Sequence, residues 1–150
     1  MRVPFSGGCA CGLIRFTCTA TPLAMVNCYC RDCQRASGGA CSPSVVVPRA
    51  AVTITGAPKW HEVRADSGDM ARRAFCAQCG SPLFANNSAS EERALVIKAA
   101  SLDDPREFAP VAEIWTDSAQ PWSVMNPALP KTAKEPTPED RARIARPPAT

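Results

Sequence analysis

One histidine and one tyrosine stand in 150 residues, and aromatic side chains make up only 6% of the chain. The lone His61, set between Trp60 and Glu62 in a strand-like stretch, reads as a surface or packing residue rather than a ligand or base. No Ser-His-Asp grouping, phosphate-cradling loop or dinucleotide glycine pattern occurs, so the common hydrolase and nucleotide-dependent classes have no foothold. No apolar run approaches the roughly 18 residues of a membrane span, and no membrane partner is expected. Met1-Arg2-Val3-Pro4-Phe5 runs into Ser6-Gly7-Gly8-Cys9 with no apolar leader core or small-residue cleavage site, so a cytoplasmic location is expected. The net charge is only +3, and its basic residues are scattered (Arg31 and Arg35, Arg49, Arg72 and Arg73, the tail) without forming a stripe. Nucleic acid is therefore not an expected partner. No internal repeat is visible beyond the cysteine pairs.

What the chain has in excess is cysteine and proline, nine and fifteen residues respectively. In a reducing compartment clustered thiols bind metal more often than they pair with one another. Cys28-Tyr29-Cys30-Arg31-Asp32-Cys33 places three thiols within one short stretch. Cys9 and Cys11 form a C-x-C, and Cys76 and Cys79 a C-x-x-C followed by Gly80, which can turn the chain back around a metal through a positive φ. A structural zinc needs four ligands, and each pair supplies two corners of a tetrahedron. The simplest partition is one closed site of Cys9, Cys11, Cys76 and Cys79, and one open site of Cys28, Cys30 and Cys33. Cys18 falls on the apolar face of a strand and reads as a small core residue. Cys41 reads as a bystander thiol.

The remaining pattern is mainly β. Leu13–Thr19 alternates with period two, a short apolar run at Leu23–Asn27 delivers Cys28, and further strands are expected at 44–47, 51–55, 58–63, 82–85, 94–98 and 111–115. Turns are expected at Ser67-Gly68-Asp69 and Asp103-Asp104-Pro105, and one helical turn at Gln34–Ser37 before Gly38-Gly39 breaks it. Trp115 and Trp122 read as core residues. With 45% hydrophobic residues, a single domain over residues 1–125 can hold a sizeable core. Residues 126–150 read as a proline-rich, mostly extended tail. Thr137 and Pro138 there can open a short helix, with Glu139 and Asp140 at its start and Arg141, Arg143 and Arg146 toward its end. Its apolar face is thin, so it either docks on the domain or serves a partner subunit in a homodimer.

Three thiolates around Zn²⁺ leave a net charge of −1, which makes a poor Lewis acid for hydrolysis but a site that accepts a fourth, soft thiolate from a substrate and keeps it deprotonated. Cys28, Cys30 and Cys33 are therefore the catalytic candidates. Arg31 and Arg35, beside them in sequence, are candidates for holding an anionic group of the cosubstrate. The competing reading is a non-catalytic, zinc-stabilised module that binds a protein partner or a small thiol; it calls for a fourth protein ligand at the triad, with Cys41 or His61 as candidates.

Taken together, Gly7–Phe16, Cys28–Gln34 with Ser37-Gly38, and Phe75–Leu83 resemble the family of glutathione-dependent formaldehyde-activating enzymes, which also includes centromere protein V. Ser101–Pro105 and Pro121-Trp122 match more weakly. Tyr29 stands where the family often has histidine. The resemblance implies several coiled antiparallel β-sheets around a structural zinc with short helices only, a fold shared with a zinc-containing exchange factor of Rab-type GTPases. It also implies structural zinc on Cys9, Cys11, Cys76 and Cys79, and a labile catalytic zinc on Cys28, Cys30 and Cys33. The implied activity is that of a carbon–sulfur lyase joining a small thiol, glutathione, to a small aldehyde, formaldehyde.

Overall fold

A computed structural model describes residues 1–65 and 68–144. Ser67 of the expected turn and Arg146 of the expected tail helix lie outside these residues. The chain forms strands β1 (Phe5–Gly8), β2 (Arg15–Cys18), β3 (Ala24–Cys28), β4 (Ser42–Pro48), β5 (Val52–Thr55), β6 (Lys59–Arg64), β7 (Met70–Phe75), β8 (Pro82–Asn87), β9 (Ala94–Lys98), β10 (Ala112–Ile114) and β11 (Lys131–Thr132), with helices α1 (Arg31–Ser37) and α2 (Pro138–Ile144). Short 3₁₀ turns fill several connections, among them Pro105–Glu107 where a turn was expected. The protein is mainly β, as the alternation of apolar and polar residues predicts.

The strands divide into a three-stranded sheet, β1-β2-β5, and an eight-stranded sheet, β11-β10-β3-β4-β9-β8-β7-β6. Pairing is antiparallel except at β10, which runs parallel to both β3 and β11. That exception has a local cause: β10 arrives from a long connection rather than a hairpin, and only antiparallel neighbours can be joined by a tight turn.

Side chains on a strand point alternately to the two faces of its sheet. On β4 and β9, Val45, Val47, Leu95 and Ile97 all face one way and are fully buried. They meet Ile14, Phe16, Cys18 and Val52 of the small sheet in a single core, in which Phe16 and Phe84 pack edge to face with ring centres 5.4 Å apart. Cys18 is fully buried and donates only to the Ala20 carbonyl at 3.4 Å, as befits a small apolar residue. The alternate residues of the same strands, Ser44, Val46, Val96 and Lys98, face the opposite side of the sheet, where they line a cavity.

The C-terminal residues return to that second face. β11 extends the large sheet beside β10, and Ile144 at the end of α2 is buried against Val26 and Ala112. Of the two roles open to this helix, docking on the domain is the one seen. Trp122, expected in the core, is 65% exposed, because the segment after Ser118 runs across the surface.

Phe84 lies at the centre of the inter-sheet core. Phe84→Ala is expected to lower the unfolding free energy by about 3–5 kcal/mol, read from urea denaturation monitored by circular dichroism; a loss under about 1 kcal/mol would show that the two sheets do not depend on this contact.

Candidate metal centres and the cavity beside the thiol triad

Cys9 and Cys11 lie in the connection from β1 to β2, and Cys76 and Cys79 in the connection from β7 to β8. The two hairpins belong to different sheets. Their four sulfurs converge to within 4.8 Å of one another. A tetrahedral ion with sulfur at about 2.3 Å places neighbouring sulfurs about 3.8 Å apart. The Cys9–Cys11 and Cys11–Cys76 separations are 3.5 and 3.6 Å, so these residues fit such an ion. Backbone donors complete the setting: Ile14 N–H points to Cys9 Sγ at 3.2 Å, and Gly80, with φ 74°, returns its N–H to the Cys76 carbonyl at 2.9 Å. Ser81 ties the hairpins together, accepting from Ala10 N–H at 3.1 Å through its hydroxyl and from Cys76 N–H at 3.0 Å through its carbonyl.

The second group is built on one strand end and one helix start. Cys28 is the last residue of β3, Cys30 caps α1, and Cys33 lies in its first turn. The helix begins at Arg31, three residues before the expected turn, because the Cys30 sulfur accepts the Cys33 N–H at 3.3 Å and so does the work of a cap. Gly38 closes the helix in the left-handed conformation at φ 69°. The three sulfurs lie within 4.8 Å of one another, and among the described residues no fourth cysteine, histidine or carboxylate joins them. Cys41 stays apart from the group, and His61 sits on the exposed edge strand β6.

Two residues that the sequence reading gave no role hold this loop in place. Gln34 is buried, and its amide donates to the carbonyls of Tyr29 at 2.5 Å and Ser118 at 2.9 Å. Glu113 is 1% exposed and accepts from the Tyr29 hydroxyl at 3.3 Å and from Asn126 N–H at 2.9 Å, with Lys131 3.5 Å away. Tyr29 thus points away from the thiols on either side of it, into the opposite face of the sheet. Burial and the nearby Cys41 and Glu113 push its phenol up from its ordinary value.

Within the triad the protons are unequally held. Hydrogen bonds from Cys28 and then Cys30 draw the Cys33 thiol well below the usual thiol range, helped by the charges of Lys98 and Arg73, although burial opposes them. Hydrogen bonds with Cys30 and then Cys33, together with burial, push Cys28 up. The three closely packed sulfurs titrate as a group, and they shed all their protons readily only to a cation.

The triad forms one wall of a cavity of about 830 Å³, within the size range of small-molecule sites. Ser44, Val46, Val96 and Lys98 floor it; Arg73 and Asn86 stand on a second side; Trp115, Pro136, Arg141 and Ile144 form a third. Arg31 and Arg35 also line it, both exposed, with Arg35 3.7 Å from Asp32. Trp115, expected in the core, instead takes a left-handed backbone conformation at φ 60° and donates its indole N–H to Glu135 at 3.2 Å, joining the site to the tail. No described helix is long and apolar enough to cross a membrane.

Cys76→Ser is expected to remove about one zinc per chain by elemental analysis and to abolish or steeply lower the cooperative melting transition, since a structural zinc site contributes about 10 kcal/mol or more to folding. An unchanged zinc content and melting temperature would show that the two hairpins are not joined through metal.

Comparison with known proteins places these features in context. No curated protein matches the chain. A crystal structure of a Rhodobacter sphaeroides protein is similar in fold, with a TM-score of 0.55 and 19% identity over 72% of this chain and 98% of that one. The profile of the glutathione-dependent formaldehyde-activating enzymes matches residues 4–118, a stretch that carries both thiol groups and the strands that position them. With four thiols joining two hairpins, a three-thiol group open to a cavity, and a matched stretch spanning most of its length, the chain belongs to the glutathione-dependent formaldehyde-activating enzyme family.

Proposed function

We propose that the protein is a zinc-dependent carbon–sulfur lyase that joins glutathione, or a similar small thiol, to a small aldehyde and reverses the reaction. One observation carries this reading: three sulfurs converge on the wall of a cavity of about 830 Å³ with no fourth protein ligand beside them among the described residues. Cys28, Cys30 and Cys33 would hold zinc there, which supplies a position where a substrate thiol stays ionised at neutral pH. Cys9, Cys11, Cys76 and Cys79 would hold the structural ion.

The chain's own residues supply binding and shape. Glutathione carries two carboxylates, and Arg31 and Arg35, exposed residues of α1 that line the cavity, would meet one of them while the sulfur reaches inward. Val46, Val96 and Ile144 give the cavity an apolar lining beside its polar groups. In the reaction the sulfur lone pair forms a bond to the aldehyde carbon, the carbonyl π pair moves to oxygen, and that oxygen takes a proton from water. Cleavage is the reverse.

Native mass spectrometry of the reduced protein, with and without millimolar glutathione, tests the binding half. Two zincs and one bound glutathione are expected, with Cys30→Ser losing both the second zinc and the acceleration of adduct formation seen by exchange NMR with formaldehyde. Two zincs that ignore the thiol would instead mark a closed, non-catalytic module. Arg31→Ala is expected to weaken glutathione binding about two- to fivefold at 0.1 M salt and less at higher salt, because the guanidinium is exposed and screened. Arg35→Ala should do less, its charge being shared with Asp32. Calorimetry reads both, and an affinity indifferent to either change would remove α1 from the binding surface.

A further inference from the structure

Lys98 is the last residue of β9 and only 6% exposed. Lysine is almost never this buried without a partner, because an ammonium taken from water costs several kcal/mol unless opposite charge or hydrogen bonds replace the lost hydration. Among the described residues Lys98 forms no ion pair with a carboxylate. Its ammonium donates one hydrogen bond, to Ser42 Oγ at 2.8 Å, which leaves two of its three N–H donors uncommitted among the described residues. Strand register explains where it lies. Ser42 is paired with Cys28 across β3 and β4, and Ser44 with Lys98 across β4 and β9. These four residues share the face that lines the cavity, so the ammonium lies two strands from the triad, on the same floor.

Arg73, the other largely buried cation of the cavity, is differently engaged, its guanidinium lying 3.6 Å from Asp32. Among the described residues Lys98 alone combines burial and a position on the cavity floor with the lack of a carboxylate partner. Such a group is suited to a negative charge that appears inside the cavity and is absent before the reaction, which is how a preorganised donor accelerates a step.

We propose that the Lys98 ammonium holds the aldehyde oxygen while the thiolate adds to the carbonyl carbon, and is a catalytic residue of the reaction. The proposal rests on the lyase reading above. As the C–S bond forms and the π pair moves to oxygen, the resulting alkoxide accepts a charge-assisted hydrogen bond from Nζ. Water then protonates the oxygen, and Lys98 returns unchanged with its hydrogen bond to Ser42. In the reverse direction the same contact steadies the alkoxide from which the C–S bond breaks.

Two probes of equal size, S-(2-hydroxyethyl)glutathione and S-propylglutathione, test the contact by calorimetry without turnover. The wild-type protein is expected to prefer the hydroxyl-bearing probe about tenfold, in line with a hydrogen bond to a charged donor. Lys98→Met should erase that preference at unchanged zinc content and should lower kcat for glutathione with formaldehyde by about a hundredfold or more with little change in KM. Lys98→Arg, which keeps the charge, should restore part of both. The same preference in Lys98→Met as in the wild type, or a kcat within threefold, overturns the proposal. A preference lost in Lys98→Met alongside a wild type that turns over no aldehyde would leave the contact standing and remove the lyase reading. Failure of the wild type to bind either probe or glutathione removes both.

Discussion

Everything in this fold hangs on the convergence of four sulfurs from two hairpins that belong to different sheets. The β1–β2 connection and the β7–β8 connection are distant in sequence and share no strand pairing, yet Cys11 of one and Cys76 of the other bring their sulfurs to 3.6 Å. Four thiolates at that spacing repel unless a cation sits among them, so the contact is unfavourable alone and strongly favourable once metal binds. Its geometric result is to press the small sheet against one face of the large one. Ile14, Phe16 and Val52 then find Val45, Val47 and Phe84, and the inter-sheet core is closed.

With one face of the large sheet consumed by the core, the other is free to carry chemistry. The same strands do both, since a period of two assigns alternate residues to opposite faces. Leu95 and Ile97 pack inward while Val96 and Lys98 floor the cavity; Val26 and Cys28 share that floor with Ser44 and Val46. The triad is thereby set at the end of a strand whose position is fixed by pairing on both sides, and α1 leaves from it with Gln34 anchored to the Tyr29 and Ser118 carbonyls. A site on a strand end and a capped helix is better defined than one on a free loop, and thiols that must present a constant geometry to an ion need that definition.

The parts of this arrangement that could be read from the chain are those encoded locally. Close spacing of Cys28, Cys30 and Cys33, or of Cys76 and Cys79, is itself a geometric statement, because near neighbours can share one ion. The β-branched runs at Val45–Val47 and Val52–Thr55 likewise announce strands. What was not legible depends on what covers a face. Alternation shows that Val96 and Lys98 point together, but a lysine closing an apolar strand looks like a solvated end until its burial and its bond to Ser42 are seen. Ile144 is a single apolar anchor on a thin helix, so its docking leaves almost no periodic signal. The early start of α1 was hidden because sulfur is not among the usual capping groups. Trp115 and Trp122 carry the same hydrophobic weight in the sequence, and only the path of the chain after β10 separates a cavity wall from a surface residue.

Charge ties the triad to its surroundings. Three thiolates around a divalent ion leave one negative charge, and a substrate thiolate beside them makes two. Lys98 and Arg73 bring two positive charges to the same cavity, both largely withdrawn from water, where Coulomb interactions are several times stronger than at the surface. Asp32 offsets part of the Arg73 charge, leaving the balance short by about one unit before the aldehyde arrives. On the proposed reading the exposed Arg31 and Arg35 meet that shortfall. Arg31 and Arg35, exposed and screened, can act on the carboxylates of an approaching thiol, whereas buried Lys98 retains its field for the oxygen that becomes negative only as the bond forms. Two kinds of cation, separated by depth, thus serve two stages of one encounter.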